Sequence, residues 1–184
     1  MVKKKKSSQF LRSCIFDALM ILLQEKRYEE ITVSEITSKA GVSRMTYYRT
    51  YSSKEDIVIQ YFKEKIADLY EKDPQFGKRS TEIWYETLLN FVYSQQDLMT
   101  KIQRTPELSK ACQTYFVDLL QYLFRKYRDL DIDDPNILYE IIYKAGAIYF
   151  LVTKWIGDGF RETPQVLLEW IKQYELGSSI ERPQ

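Results

Sequence analysis

The segment "TVSEITSKAGVSRMTYYRTYSSKED", residues 32–56, decides how the N-terminal third of this chain folds. It opens with a capping box, in which the Thr32 hydroxyl caps a helix and the Glu35 carboxylate reaches back to the Thr32 backbone N–H. This first helix is short, because the glycine at position 41 ends it. Ser43 then caps a second short helix. Two short helices joined by a tight glycine-containing turn predict a helix-turn-helix.

The second helix of this pair, about residues 44–51, is poor in aliphatic side chains and rich in arginine, tyrosine and threonine. In a helix-turn-helix the second helix lies in the DNA major groove, where its N-terminal residues meet base edges. Arg44 can form paired hydrogen bonds with a guanine. Thr46, Tyr48 and Thr50 can donate hydrogen bonds to phosphate oxygens. These residue types predict a surface that binds DNA.

The order of these residues resembles the N-terminal domain of TetR-family transcriptional regulators. The resemblance covers about residues 8–70 and is strongest in "ITVSEITSKAGVSRMTYYRTYSSKEDIVIQYF", residues 31–62. A stretch near the C-terminus, "KWIGDGFRETPQVLLEWI", is more distantly similar to the dihydroxyacetone kinase operon regulators of the same family. The positions that match the family pattern are Ala40, Gly41, Val42, Ser43, Tyr48, Tyr51, Ser53, Lys54, Glu55 and Ile57.

The resemblance implies which side chains face DNA, and some of them depart from the family pattern. Met45 stands where a small residue is common, and it can touch a thymine methyl group. Tyr47 stands where the family has an aliphatic core residue, so we expect a buried ring with its hydroxyl at the edge. Thr50 replaces a frequent histidine. Lys54 adds a cation near the start of a helix whose dipole already favours phosphate. The expected DNA-binding residues are Ser34, Arg44, Met45, Thr46, Tyr48, Arg49, Thr50 and Lys54.

The rest of the chain is also helical in pattern, with proline and glycine mainly at helix boundaries. Together with the resemblance, this pattern predicts an all-α fold. We expect a three-helix helix-turn-helix DNA-binding domain over residues 1–52 and a connecting helix over 53–73. A helical ligand-binding and dimerisation domain follows over 74–184. The predicted helices outside residues 32–73 cover about 8–26, 81–96, 97–103, 106–127, 135–156 and 164–177.

Composition narrows the classes of function. Residues 1–54 carry a net charge of +6 and the remainder −5, which suggests that the N-terminal end meets a polyanion. The chain has no histidine, which excludes histidine-based triads, metal ligands and general bases. It also lacks a glycine-rich phosphate-binding loop. We therefore expect no enzyme, no metal and no cofactor. With two cysteines and no apolar run of bilayer length, we expect a cytoplasmic protein without a membrane partner.

The last two predicted helices carry apolar residues spaced three and four apart. Such a seam suits two antiparallel helix pairs that form a four-helix dimer interface, and it also suits an intramolecular core stripe. Two considerations favour the dimer. The family that the chain resembles dimerises through its last two long helices, and a helix-turn-helix needs two copies about one DNA turn apart to read a palindrome. The expected interface residues are Leu138, Ile141, Ala145, Ile148, Val152, Trp155, Leu167, Trp170, Ile171 and Tyr174.

The expected function is a ligand-responsive repressor that binds a palindromic double-stranded DNA operator as a homodimer. The aromatic residues of the C-terminal domain can line a pocket for a small-molecule effector of unknown identity, although aromatic stripes more often form core. The alternative is a DNA-tethered protein-interaction module of co-activator type, whose C-terminal domain binds a protein partner. The lysine run at residues 3–6 fits either a disordered arm that reaches DNA or a solvated tail.

Overall fold

The computed structural model describes residues 2–128, 131 and 133–176. Within these residues the chain forms nine α-helices and no strand, which confirms the all-α fold class expected from the sequence. Two short 3-10 turns lie at Tyr28–Glu30 and Phe76–Lys78. No helix in this part of the chain is long and apolar enough to cross a membrane. The helices are α1 Val2–Glu25, α2 Val33–Lys39, α3 Arg44–Thr50, α4 Lys54–Lys72, α5 Thr81–Ser94, α6 Gln96–Arg104, α7 Pro106–Arg128, α8 Pro135–Gly157 and α9 Pro164–Leu176.

The chain forms two compact units. The first consists of Met1–Lys72 with Thr105–Tyr115, and the second of Asp73–Arg104 with Phe116–Gln184. The first half of α7 thus belongs with the N-terminal helices, where Leu108 is fully buried. The domain boundaries expected from the sequence stay a prediction.

The first unit is built around α1, which packs against α2 and α4, while α2 packs against α3. Its core takes Ile15 and Leu19 from α1, Ile36 from α2, Tyr47 from α3 and Ile57 from α4, each at most 1% exposed. Burying an aliphatic or aromatic side chain of this size contributes about 1.5–3 kcal/mol. The two short helices are therefore held by the core beneath them, since helices of two turns are not stable alone.

Local hydrogen bonds set the ends of α2 and α3 as the sequence predicted. The Glu35 N–H donates to the Thr32 hydroxyl at 3.3 Å, and the Thr32 N–H donates to the Glu35 carboxylate at 2.9 Å. These two bonds complete the capping box. Gly41 has φ +67°, in the left-handed region that ends a helix. The Thr46 N–H donates to the Ser43 hydroxyl at 3.1 Å and opens α3.

Helix α1 begins earlier than the sequence predicted. We expected its start at about residue 8, whereas the helix begins at Val2, so the backbone of the lysine run is helical. The side chains of residues 3–6 lie outside the described part of the chain. Phe10 is 67% exposed, and the buried stripe of α1 starts at Ile15.

In the second unit, α5 packs against α9 and α6, and α6 packs against α8. This unit contains the residues predicted to form a dimer interface, and most of them are core. Their burial within one chain fits the intramolecular stripe, and the dimer interface expected from the sequence stays a prediction. Leu138 is half-buried, and Trp170 and Tyr174 are exposed. The buried members are Ile141, Ala145, Ile148, Val152, Trp155, Leu167 and Ile171.

A Schellman motif ends α8 and leads the chain towards α9. The Phe160 N–H donates to the Trp155 carbonyl and the Gly159 N–H to the Ile156 carbonyl, each at 3.0 Å. Gly159 has φ +77° and Phe160 has φ +57°, a conformation that large side chains rarely adopt. The Phe160 ring packs edge-on against Trp155, with centroids 5.1 Å apart, and this contact holds the unusual backbone in place.

Candidate nucleic-acid interface

Helix α3 has one buried and one exposed face. Tyr47 points into the core, whereas Arg44, Met45, Tyr48 and Arg49 are exposed, Met45 at 80% and Tyr48 at 65%. Residues four apart lie above one another on a helix, so these four exposed positions share one side of α3. We call them the reading surface. Half of the residues predicted to contact DNA are thus brought together on one solvent-facing strip.

The two arginines of the reading surface carry positive charge that no acidic side chain of the described residues neutralises. In the part of the chain that the structure describes, neither Arg44 nor Arg49 forms an ion pair. Two carboxylates of the preceding helices are matched elsewhere: Glu35 bonds the Lys26 ammonium, and Glu25 pairs with another lysine. The hydrogen bond from Lys26, with further bonds from the cap of α2, lowers the pKa of Glu35 to about 2. Both arginines therefore remain available for phosphates or bases.

The hydroxyl residues predicted to contact phosphate differ in whether their hydroxyl groups already form a hydrogen bond within the chain. Ser34 is exposed in the first turn of α2. The Thr46 and Ser43 hydroxyl oxygens lie 2.9 Å apart and share a hydrogen bond. Thr50 donates its hydroxyl proton to the Thr46 carbonyl at 3.1 Å. A hydroxyl has one proton to donate, so Thr50 has to release that carbonyl before it can donate to a phosphate.

Tyrosine rings support the reading surface from below. The Tyr48 ring meets the Tyr47 ring edge to face, with centroids 5.2 Å apart and planes at 89°. Tyr47 also packs against Tyr51, at 5.5 Å. Unlike our expectation, the Tyr47 hydroxyl is buried together with its ring, and it has no hydrogen-bond partner among the described residues. Burial raises the pKa of Tyr47 to about 12.

Lys54 is held within the chain. Its ammonium donates to the backbone carbonyls of Tyr28 and Ile31, each at 2.8 Å, and lies 4.2 Å from the centroid of the Tyr28 ring. The Tyr28 hydroxyl donates to Glu55 at 2.5 Å. One of the three ammonium N–H groups is left for a phosphate. The sequence carries no signal for this arrangement, because both acceptors are backbone atoms more than twenty positions away.

The described residues offer no second site of obvious chemistry. Among them, no group of three histidine, cysteine, aspartate or glutamate side chains is placed to hold a metal ion. Cys14 and Cys112 are free thiols. Burial raises the pKa of Cys112 to about 12, so this thiol stays protonated and unreactive near neutral pH.

A capped pair of short helices, the second with a basic and aromatic exposed face, defines the class of helix-turn-helix transcriptional regulators. Residues 15–61 match the family described as bacterial regulatory proteins, tetR family. This part of the chain thus matches the TetR family of transcriptional regulators, as the resemblance predicted. The curated relatives that match the chain are named as regulators, which agrees with the predicted class of protein.

Individual relatives agree with this assignment. Over 69 residues the chain is 36% identical to the fatty acid metabolism regulator protein of Bacillus subtilis. The matched stretch covers 38% of this chain and 34% of that protein. Matches to the first curated relatives span 34% to 58% of their own lengths.

Two solved structures share the fold. The fatty acid degradation regulator FadR of Bacillus halodurans superposes with a TM-score of 0.60 at 22% identity, over 94% of this chain and 97% of that chain. The dihydroxyacetone kinase operon activator DhaS superposes with a TM-score of 0.59 at 21% identity, over 90% and 94% of the two chains. Both likenesses extend beyond the helix-turn-helix into the C-terminal helices.

Proposed function

We propose that this chain represses transcription by binding a palindromic operator as a homodimer, with the reading surface of α3 in the major groove. The observation that carries this proposal is the division of α3 into two faces. Tyr47 supports the core, while within the described residues the one ring contact of the reading surface is that of Tyr48 with Tyr47. A recognition helix needs side chains of this kind, free on the side that meets the bases.

Each side chain of the reading surface has a separate role in this proposal. Arg44, in the first turn of α3, forms paired hydrogen bonds with guanine O6 and N7, and Met45 contacts a thymine methyl group. Tyr48 and Arg49 bind phosphate oxygens and fix the register of the helix in the groove. The polar side chains around the reading surface add further phosphate contacts. These are Ser34, Thr46 and Thr50.

Binding to duplexes tests this function. Wild-type protein selects duplexes from a randomised library, and fluorescence anisotropy then measures affinity against salt concentration. Affinity should fall steeply with salt, with a log–log slope of about −0.9 for each phosphate neutralised. Transcription in vitro from a promoter that overlaps the selected duplex then checks repression. Failure to enrich any duplex, or binding that salt does not weaken, would refute the proposal.

The dimer interface in this proposal uses the large apolar residues that α8 and α9 leave exposed. Tyr139 and Tyr143 on α8 are 70% and 75% exposed and lie one turn apart. On α9, Trp170 and Tyr174 are exposed at the same spacing, and both belong to the interface predicted from the sequence. Large exposed aromatic side chains typically mark an interaction surface, and a helix-turn-helix requires a second copy of itself to read a palindrome. The exposed stripe is Tyr139, Ile142, Tyr143, Phe150, Val166, Trp170 and Tyr174.

Light scattering after size-exclusion chromatography tests the exposed stripe. Wild-type protein should have the mass of two chains, and the double variant Tyr143→Glu with Phe150→Glu the mass of one. The control is Phe10→Glu, which replaces an exposed aromatic residue of the first unit and should leave the mass unchanged. A double variant that stays dimeric would exclude this stripe as the interface.

Ligand control is assigned in this proposal to the second unit. A ligand lowers DNA affinity if it binds a dimer with mis-spaced reading surfaces more tightly than the DNA-bound form. Two proteins similar to this chain are named as regulators of fatty acid metabolism or degradation, which supports fatty acids and their coenzyme A thioesters as the first probes. Such a probe should raise the midpoint of thermal unfolding and release labelled DNA. Release without a thermal shift would indicate competition at the DNA interface instead.

A further inference from the structure

We infer that Lys54 is a positioning residue for the helix-turn-helix, whose ammonium fastens the connection between α1 and α2 to the first turn of α4. We call Lys54, Tyr28, Ile31 and Glu55 the clamp. The inference rests on the proposed function in one respect: the orientation that the clamp maintains is the one that places the reading surface in the groove.

The clamp joins two segments that are distant in sequence. The Lys54 ammonium bonds the Tyr28 and Ile31 carbonyls at 2.8 Å each and lies over the Tyr28 ring. The Tyr28 hydroxyl returns to Glu55, the next residue of α4. Tyr28 and Ile31 are both buried, at 5% and 2% exposed. Hydrogen bonds to an ammonium and its contact with an aromatic face are stronger where water is excluded.

The clamp acts at the point where α2 begins. Ile31 immediately precedes Thr32, the N-cap of α2, so the position of the Ile31 carbonyl sets where the capping box starts. The Tyr28 carbonyl also accepts the Ile31 N–H, at 3.1 Å, and Lys54 supplies its second hydrogen bond. Because α2 packs against α3, a shift of this connection moves the recognition helix with it.

The same geometry argues against a mainly electrostatic role for Lys54 in DNA binding. Two of its three donors are already used, and its side chain is half-buried. To turn its ammonium fully towards a phosphate, Lys54 would have to break two charge-assisted hydrogen bonds. Such bonds are about twice as strong as neutral ones. Arg44 and Arg49 reach solvent without breaking any ion pair in the described residues.

Hydrogen exchange of the free protein tests the clamp without DNA. Lys54→Met keeps the length of the stem and removes the donors, so amides of α2 and α3 should exchange at least about tenfold faster, with α5 and α9 unchanged. Lys39→Met is the matched control, because the Lys39–Glu25 pair is a surface ion pair of little worth. Equal exchange in the two variants would overturn the inference. If Lys54→Met does not fold, Tyr28→Leu replaces it in the test. This variant removes the ring and hydroxyl of the clamp, and amides of α2 and α3 should again exchange faster while those of α5 and α9 do not change.

Salt titration on the duplex selected by wild-type protein separates positioning from phosphate contact. The clamp predicts that Lys54→Met lowers affinity about equally at every salt concentration, with an unchanged slope. It also predicts that Tyr28→Leu, a change at a buried residue, is non-additive with Lys54→Met. A slope reduced by about 0.9 for each lost contact, with additive effects, would show a phosphate contact and overturn the inference. If wild-type protein selects no duplex, the proposed function fails while hydrogen exchange still decides the clamp.

Discussion

Tyr47→Phe should stabilise the first unit. The Tyr47 side chain is 1% exposed, and its hydroxyl has no hydrogen-bond partner among the described residues. Leaving a buried polar group unsatisfied costs about 1–3 kcal/mol, whereas the ring contacts with Tyr48 and Tyr51 do not need the hydroxyl. We expect a gain of about 1 kcal/mol, the lower end of that range, because the loss of the oxygen also leaves a small gap.

Urea and thermal unfolding followed by circular dichroism measure this gain, which should raise the midpoint by a few degrees. The control is Tyr48→Phe on the same helix, since Tyr48 is exposed and its hydroxyl is already hydrated. That variant should unfold like the wild type. If Tyr47→Phe is no more stable than Tyr48→Phe, the Tyr47 hydroxyl is satisfied in solution and the reasoning is refuted.

The pH dependence gives an independent check on the same hydroxyl. Burial raises the folded-state pKa of Tyr47 to about 12 from an ordinary value of 10.0. The neutral hydroxyl is therefore favoured in the folded state. The free energy of unfolding of the wild type is unaffected by this titration below pH 10, and it falls as the pH rises from 10 towards 12. Tyr47→Phe lacks this loss, so its advantage over the wild type should widen above pH 10, by about 1 kcal/mol per pH unit.

Three further predictions concern the interface and the helix ends. Arg44→Ala should cost about 1–3 kcal/mol of discrimination at one guanine position, whereas Tyr48→Phe should weaken binding to all duplexes alike, as anisotropy on single-base operator variants will show. Glu35→Gln should make the urea midpoint depend less on pH between 4.5 and 2. The depressed pKa of Glu35 contributes stability that is present above pH 4.5 and lost as the pH falls through 2. Gly159→Ala should destabilise by about 1 kcal/mol, because φ is +77° there, whereas Gly146→Ala should stabilise by up to about 1 kcal/mol, because an added Cβ meets nothing within 4 Å in a helix interior; thermal unfolding of the two variants compares them directly.

Local chemistry explains what could be predicted from the sequence. The capping box at Thr32 and Glu35, the turn at Gly41 and the cap at Ser43 depend on residues at most three positions apart, and all three features are present. The order of these signals along residues 32–56 was enough to identify the helix-turn-helix and its family. Helix starts at prolines, as at Pro164, were located in the same way.

Non-local contacts explain the rest. An apolar stripe such as Ile141, Ile148 and Trp155 shows that a helix face is covered, but its period is the same whether the partner lies in the same chain or in another. The charge of Lys54 suggested a phosphate partner. The backbone carbonyls that it contacts within the chain carry no residue signature, so the sequence could not indicate them. The buried hydroxyl of Tyr47 depends on the depth of the core around it, which no spacing of residues encodes.

The two-faced α3 has a consequence for how operator preference can change. Tyr47 and the cap at Ser43 hold α3 in place, and the reading surface contributes little to folding. Substitutions at Arg44, Met45 and Arg49 therefore escape the stability threshold that limits most mutations. On the proposed function, new operators can evolve one base pair at a time on an unchanged scaffold. A library that randomises these positions without proline should keep most of its members folded.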